Sequence, residues 1–243
     1  MERGLYIAAS GMLAAEIRQD VIANNLANST NPGFKGDKLV QQSFSDMLLV
    51  QAQGGATIGP LSTGAQIAQI SPDLSNEGFR WTQRTLDLAI GGNGWFKVQS
   101  PTGTVYTRNG AFTTDAKGQL VTAQAEPVLG VDGQPITIAG GGRIGIDRLG
   151  HVSVAGKEVG QIAVVALQAS SIKKLGANEV TGTVDPTGKT GTVAQGALEN
   201  SNVNSVMEMV SLIENMRIFE AGQKVVQAID GTLDRAVNQV GRV

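Results

Sequence analysis

The chain contains no cysteine. Disulfides, thiolate chemistry and cysteine-ligated metals are excluded with it. It has a single histidine, His151. A catalytic triad or a histidine-based zinc site needs more partners than that, and His151 reads as a strand-surface residue after the turn at Gly150. Aromatic residues make up 4% of the chain and charged residues 16%, with a net charge of -2. Neither a polyanion-binding face nor a base-stacking platform can be built from that stock, so nucleic acid is not an expected partner. No segment approaches the roughly 18 consecutive apolar residues of a membrane helix, and direct membrane insertion is not expected. The opening Met1-Glu2-Arg3-Gly4-Leu5-Tyr6-Ile7 lacks the basic stretch, apolar run and small-residue cleavage site of an ordinary signal peptide. If the protein leaves the cytoplasm, another route is expected.

What the chain does have is glycine, 32 residues in 243, and a hydrophobic fraction of 41%, enough for a real core with a second small domain. Two glycine-rich stretches resemble nucleotide sites and fail on spacing. Gly188-Lys189-Thr190 has five residues back to Gly182 where a phosphate loop needs four, and Gly191-Thr192-Val193-Ala194 opens no helix. Gly140-Gly141-Gly142-Arg143-Ile144-Gly145 fits G-x-G-x-x-G but runs into Ile146-Asp147 and a turn, not a crossover helix. Asn28-Ser29-Thr30 is a formal glycosylation sequon that reads as a cap-and-turn sequence. Carboxylates are scattered and unpaired. No catalytic residue, cofactor, metal ligand or small-molecule substrate is expected.

The two ends share a texture. From Gly4 to Asn28 the chain is rich in Ala, Leu, Ile and Met. Leu5, Met12, Gln19 and Leu26 recur every seven residues, with Ala8, Ala15 and Ile22 offset by three, which makes an a/d seam. The run stops at Asn28-Ser29-Thr30-Asn31-Pro32-Gly33. From Ser205 to Val240 a second heptad series runs through Leu212, Phe219, Val226, Leu233 and Val240, with Asn215, Gly222, Ile229 and Ala236 offset by three. Val206, Met209, Ile213 and Met216 form a further ridge. Asn204 or Ser205 can cap this helix, and Glu208 falls in its first turn. Between about Gln66 and Gly196 short apolar runs alternate with turn signals such as Asn93-Gly94, Pro101-Thr102-Gly103 and Asn109-Gly110, the pattern of an antiparallel β domain. Gln161–Leu167 is the longest unpunctuated strand expected. The expected fold class is α+β: residues 1–30 and 200–243 form a helical, coiled-coil-like assembly domain, 31–65 connect, and 66–199 form an inserted β-rich domain.

Ala23-Asn24-Asn25-Leu26-Ala27-Asn28, then Pro32-Gly33-Phe34-Lys35, resembles the N-terminal signature of the flagellar rod and hook protein family, and Gly4–Met12 is similar to that family's opening. Leu86-Asp87-Leu88-Ala89-Ile90 with Gly94-Trp95-Phe96 resembles its LDxAIxGxGFF strand, with Trp95 in place of Phe or Tyr. Tyr106-Thr107-Arg108-Asn109-Gly110-Ala111-Phe112 resembles YTRNGxF, and Gly118–Thr122 the GxLVT that follows. Leu198–Asn204 resembles LExSNVN. Met209-Val210, Arg217-Ile218-Phe219-Glu220 and Lys224-Val225 fit the C-terminal helix pattern. The motifs run in order along nearly the whole chain.

The resemblance implies a structural subunit of the basal-body rod in the bacterial flagellum. Its terminal helices would pack as coiled coils with copies of itself and with other axial rod and hook proteins, inside an outer layer of β domains. It also implies export through the flagellar type III apparatus without signal cleavage. The helix residues expected to carry assembly are Leu5, Met12, Ile22, Leu26, Leu212, Phe219, Val226, Ile229, Leu233 and Val240. In the N-terminal motif, Asn24, Asn25 and Asn28 are expected to satisfy backbone groups at the helix end, Gly33 to supply a positive φ, and Phe34 to anchor the segment that follows. The modest length argues against a hook protein, and a middle region without room for much insertion slightly favours the proximal over the distal rod type. A secreted β-domain adhesin or binding module with helical ends is the alternative, and trimming both termini separates the two readings.

Overall fold

The computed structural model describes residues 2–43, 47–50, 57–61, 64–138 and 142–240. The fold is α+β. Helix α1 spans Glu2–Ala27 and helix α2 spans Ser205–Arg235, with a π-helical turn at Ala236–Val240. Helix α1 stops where the breaker cluster begins. The Asn31 amide closes a turn onto the Asn28 carbonyl, and Gly33 adopts φ +69°. Helix α2 starts at an N-cap: the Asn204 side chain accepts from the amides of Val206 and Met207 at 3.0 and 3.2 Å. Glu208 in the first turn and Arg235 in the last complement the helix dipole.

The chain divides into two compact units. The first contains α1, residues 37–71 and the chain from Asn204 onward. Here α1 and α2 pack antiparallel: Gly4 lies beside Ile229, Met12 beside Gly222, and Ala15 beside Asn215. A Cβ on Gly222 would come within 2.7 Å of Met12 Cγ, so glycine's cost in a helix is accepted for close approach. Asp37–Ser43, inside the expected connecting segment, pairs with Ala65–Pro72, which runs past its end, and Met47–Val50 pairs antiparallel with Thr57–Leu61.

The second unit contains residues 28–36 and 72–203 and is built of short strands. Its five-stranded antiparallel sheet runs Val164–Val165, Trp95–Ser100, Gly103–Thr107, Glu179–Thr181, Lys173–Lys174. The central hairpin turns through Pro101-Thr102 with Gly103 at φ +128°. Ile144–Ile146, His151–Val154 and Lys157–Gln161 form a three-stranded sheet. Leu88–Gly91 pairs with Thr192–Gln195, and Phe79–Trp81 with Ala197–Glu199. Leu88, Ile90, Phe96, Phe112 and Leu120 are completely enclosed, and Phe96 meets Phe112 edge-on at 5.1 Å. Each such side chain contributes roughly 1.5–3 kcal/mol.

The run Gln161–Leu167 is not one strand. It changes partner as it goes: Gln161 closes on His151, Ile162 bridges Gly130, Val164–Val165 pair with Trp95–Phe96, and Leu167 bridges Val184. Ile162, Ala163, Ala166 and Leu167 are buried, so an unbroken apolar run serves several neighbours in turn.

Candidate functional site

Two arrangements gather the residues singled out in the sequence. The first is the helix pair. Ala15, Ile22 and Asn25 of α1 are buried, and Ala8, Met12 and Leu26 are half-buried, while Leu5, Gln19, Ala23, Asn24 and Ala27 are exposed. On α2, Asn215 is buried and Leu212, Phe219, Gly222, Val226 and Ile229 are half-buried along one 3.5-residue row, with Leu233 marginally exposed. The side chain of Val240 lies outside the described residues. Asn215 sits in the middle of this seam at 1% exposure. Its Nδ2 donates to the Ala15 carbonyl at 2.8 Å, and its Oδ1 has no partner.

Beyond the seam the pair leaves apolar rows uncovered. Val206, Met209, Ile213 and Met216 are 48–66% exposed along one flank of α2. Met207, Val210, Ile218 and Val225 are exposed on the other. There Gly4, Ile7, Ala8, Gly11, Ile218 and Val225 line an open apolar groove.

Asn25 works as a backbone mimic. Its Oδ1 accepts from the Asp37 amide at 2.8 Å, and its Nδ2 donates to the Asp37 carbonyl at 3.0 Å and to Glu208 Oε1 at 3.3 Å. One side chain thereby ties the end of α1 to the following strand and to the first turn of α2. Asn28 accepts from Asn31 Nδ2 at 2.8 Å, inside the turn.

The second arrangement is a buried clasp where the chain enters and leaves the second unit. Glu199 is 1% exposed. Its Oε1 accepts from Lys35 Nζ at 2.7 Å and its Oε2 from Arg108 Nη1 at 3.0 Å. Lys35 also donates to the Ser75 carbonyl, and Arg108 to the carbonyls of Ile90 and Gly92, with its guanidinium 5.4 Å from the Trp95 ring centre. Burial draws the Lys35 ammonium below its ordinary pKa, against the pull of Glu199, and lowers Arg108 in the same way. Around the ions the two crossing segments bond directly. The Gly33 amide donates to the Glu199 carbonyl, the Gly36 amide to Asn202 Oδ1, and the Asn202 amide to the Phe34 carbonyl. A Cβ on Gly33 would lie 2.4 Å from the Arg108 backbone, so both its positive φ and this close approach require glycine. Phe34 is fully enclosed, with Lys174 Nζ 4.5 Å from its ring centre.

Lys35, Arg108 and Glu199 each lie inside a motif noted in the sequence, yet nothing in the sequence couples them, because 164 and 91 residues separate Glu199 from its two partners. The glycine-rich stretches take other forms. Lys189 is exposed in a loop that leads into the strand Thr192–Gln195, and Gly142 leads into the strand Ile144–Ile146, while Gly140 and Gly141 lie outside the described residues. His151 pairs with Glu158 at 3.0 Å on the surface.

Three family models match along the chain. One described as "Flagella basal body rod protein" covers residues 5–35, one described as "Flagellar hook protein FlgE/F/G D1 domain" covers 89–154, and one described as "Flagellar basal body rod FlgEFG protein C-terminal" covers 194–240. The flagellar basal-body rod protein FlgG of Bacillus subtilis is 35% identical, over 98% of this chain and 99% of that one. The flagellar basal-body rod protein FlgF of Rhizobium meliloti is 32% identical, over 99% of each chain. The flagellar hook-basal body complex protein FlhO of Bacillus subtilis is 29% identical over the full length of both. The likeness spans both helices and the clasp residues between them, and this chain belongs to the flagellar basal-body rod protein family.

Proposed function

We propose that this chain builds the flagellar basal-body rod by polymerising through α1 and α2, whose uncovered apolar rows meet the same helices in neighbouring subunits. Membership of a rod family makes it a structural subunit located in the basal body, and not an enzyme. The observation that carries the assembly reading is the row Val206, Met209, Ile213 and Met216. It lies beside the α1/α2 seam, carries large apolar side chains at helical spacing, and is about half exposed or more. Leu5, Tyr6, Ile7 and Leu13 add exposed apolar surface on α1. An antiparallel pair has two flanks, and in a tube each flank faces a neighbour, so coiled-coil packing continues from chain to chain.

In this reading the neighbours are copies of the chain and other rod and hook axial proteins, and the unit of residues 28–36 and 72–203 is a β domain. Delivery through the flagellar type III export apparatus follows from the same reading. The short middle region favours a proximal position in the rod.

The test separates neighbour contacts from the internal pair. Ile213→Asp and Met216→Asp each place a charge on an exposed position and leave the isolated chain folded. In a packed interface the same charge costs on the order of 3 kcal/mol or more. Incorporation into rods, followed by electron microscopy of purified basal bodies, is expected to fail for both. Normal incorporation of either would show that this flank is not an assembly face.

A further inference from the structure

We propose that a polar cleft in the first unit receives the side chain of Arg217 from a neighbouring copy of this chain. This contact rests on the assembly reading above and fixes the register between copies. The cleft lies where α1, α2 and the strand Asp37–Ser43 meet and measures about 360 Å³. Arg18, Asp37, Glu208, Glu214, Asn215 and Ile218 are among its lining residues, and all of them belong to one compact unit. Ile218 also lines the apolar groove beside Gly4 and Ile7, so groove and cleft adjoin on the same flank of the helix pair.

Two independent features suit the cleft to a cation that also donates hydrogen bonds. Its lining holds three acidic residues, Asp37, Glu208 and Glu214, against one basic residue, Arg18, whose guanidinium already donates to Gln41 Oε1. Asn215 forms the inner wall at 1% exposure. Its Nδ2 is spent on the Ala15 carbonyl, and its Oδ1 has no donor. A buried acceptor without a donor costs free energy, which a donor brought by a neighbour recovers. A guanidinium answers both features at once: it is always charged, and it carries five N–H donors in a fixed fork and no acceptor.

The chain carries such a group on another side of the same helix. Arg217 is exposed on α2 and makes no ion pair or hydrogen bond among the described residues. It follows Ile213 by four positions, so it sits beside the apolar row that the assembly reading gives to a neighbour. At 3.6 residues per turn it points roughly 160° away from Asn215, and it cannot enter the cleft of its own chain. Lys224 is exposed on the same side but lies about two turns further along, beyond the level of the cleft. A receptor on one flank and its occupant near the other make a head-to-tail contact, which repeats from copy to copy as a filament requires.

The experiment exchanges charges between copies. Glu214 and Arg217 are both exposed, so Glu214→Arg and Arg217→Glu should each keep the helical circular dichroism of the parent monomer. Each variant alone is expected to lower incorporation into purified basal bodies by about tenfold or more, because it sets like charges across the contact. Produced together in one cell, the two variants are expected to restore incorporation. The acidic side chain of one then enters the basic cleft of the other, and the unchanged arginine of the second enters the unchanged cleft of the first. Each chain in the mixture carries a single exchange, so rescue cannot come from a contact within a chain. Parent-level incorporation of either variant alone, or a mixture no better than its parts, overturns the proposal; so does rescue of Glu214→Arg by Lys224→Glu in place of Arg217→Glu. Met216→Asp tells this contact from the assembly reading as a whole. If it blocks incorporation while the charge variants incorporate normally, the flank is an assembly face and the cleft does not take Arg217. If it incorporates normally while the exchange still rescues, the apolar row is not the face and the cleft contact stands.

Discussion

Replacing Glu199 with alanine is the sharpest perturbation of the fold. The substitution removes one carboxylate and leaves two cations, Lys35 and Arg108, buried at 3% side-chain exposure without a counter-ion. Breaking a buried ion pair from one side costs about 3–5 kcal/mol, because the remaining charge keeps its desolvation penalty and loses its compensation. The total stability of a domain is about 5–15 kcal/mol, so this is a large fraction of it. With a urea dependence of about 2 kcal/mol per molar, the unfolding midpoint should fall by about 1.5–2.5 M. Trp95 lies under the Arg108 guanidinium and is buried, so its fluorescence reports this unit directly. The triple variant Lys35→Met, Arg108→Met, Glu199→Leu removes all three charges together and should recover most of the loss. A fall of under about 1 kcal/mol for Glu199→Ala, with an unchanged slope, would mean that water reaches the site and that the clasp is not the tie described here.

Further outcomes follow from the same structure. Limited proteolysis of the free chain should consume α1 and α2 before a fragment near residues 72–203, because helices with uncovered apolar rows recover little of their ordering entropy until neighbours arrive; a mass-spectrometric digest in which both ends resist as long as the middle counts against this. Glu179→Gln should stabilise the chain at pH 7 and change little at pH 4. A carboxyl whose folded pKa is raised contributes stability that is complete below its ordinary value of 4.5 and is lost as pH rises through the folded value. Equal effects at the two pH values, measured by urea titration, would refute that assignment. Asn215→Leu should strengthen the isolated α1/α2 pair by about 1–3 kcal/mol, since it removes an orphaned buried oxygen, and should at the same time give irregular rods; a loss of helical circular dichroism on heating that occurs earlier than in the parent chain would contradict it.

The helices were legible because a 3.5-residue period survives in the sequence whatever the partner is. Leu212, Asn215, Phe219, Gly222, Val226 and Ile229 lie on the protected row of α2 as their spacing implies. On α1 the row of small residues, Ala8 and Ala15 with Ile22, faces α2, while Leu5 and Gln19 of the companion row stay exposed. Hydropathy gives leucine more weight than alanine, but close helix approach selects the smaller side chain, and that choice depends on a partner the local sequence does not contain. Turns at Gly94 and Gly103 were legible for a local reason, because each needs positive φ. Strand pairing was not. Gln161–Leu167 looks like one strand because it is apolar throughout, and only the neighbours reveal that it serves several of them. The clasp was hidden in the same way: Lys35, Arg108 and Glu199 each looked like a single polar residue in a motif.

The clasp also explains why those motifs hold polar residues at all. The chain enters the second unit at residue 28, leaves it after 36, returns at 72 and leaves again after 203, so residues 33–36 and 199–202 lie close to two of these crossings. Hydrogen bonds from Gly33 to Glu199, from Gly36 to Asn202 and from Asn202 to Phe34 fasten these two segments to each other, so tension on one is shared by both. An apolar plug of the same volume could be equally stable. It would not fix the register between the segments, because apolar contacts tolerate sliding and a two-sided ion pair with aligned donors does not. The triple apolar variant therefore separates two properties. It should fold with near-parent stability and still fail where register matters, in the assembled rod. Motility in soft agar, compared with urea stability of the same variant, measures both. Full motility in that variant would show that stability alone is what the three charges supply.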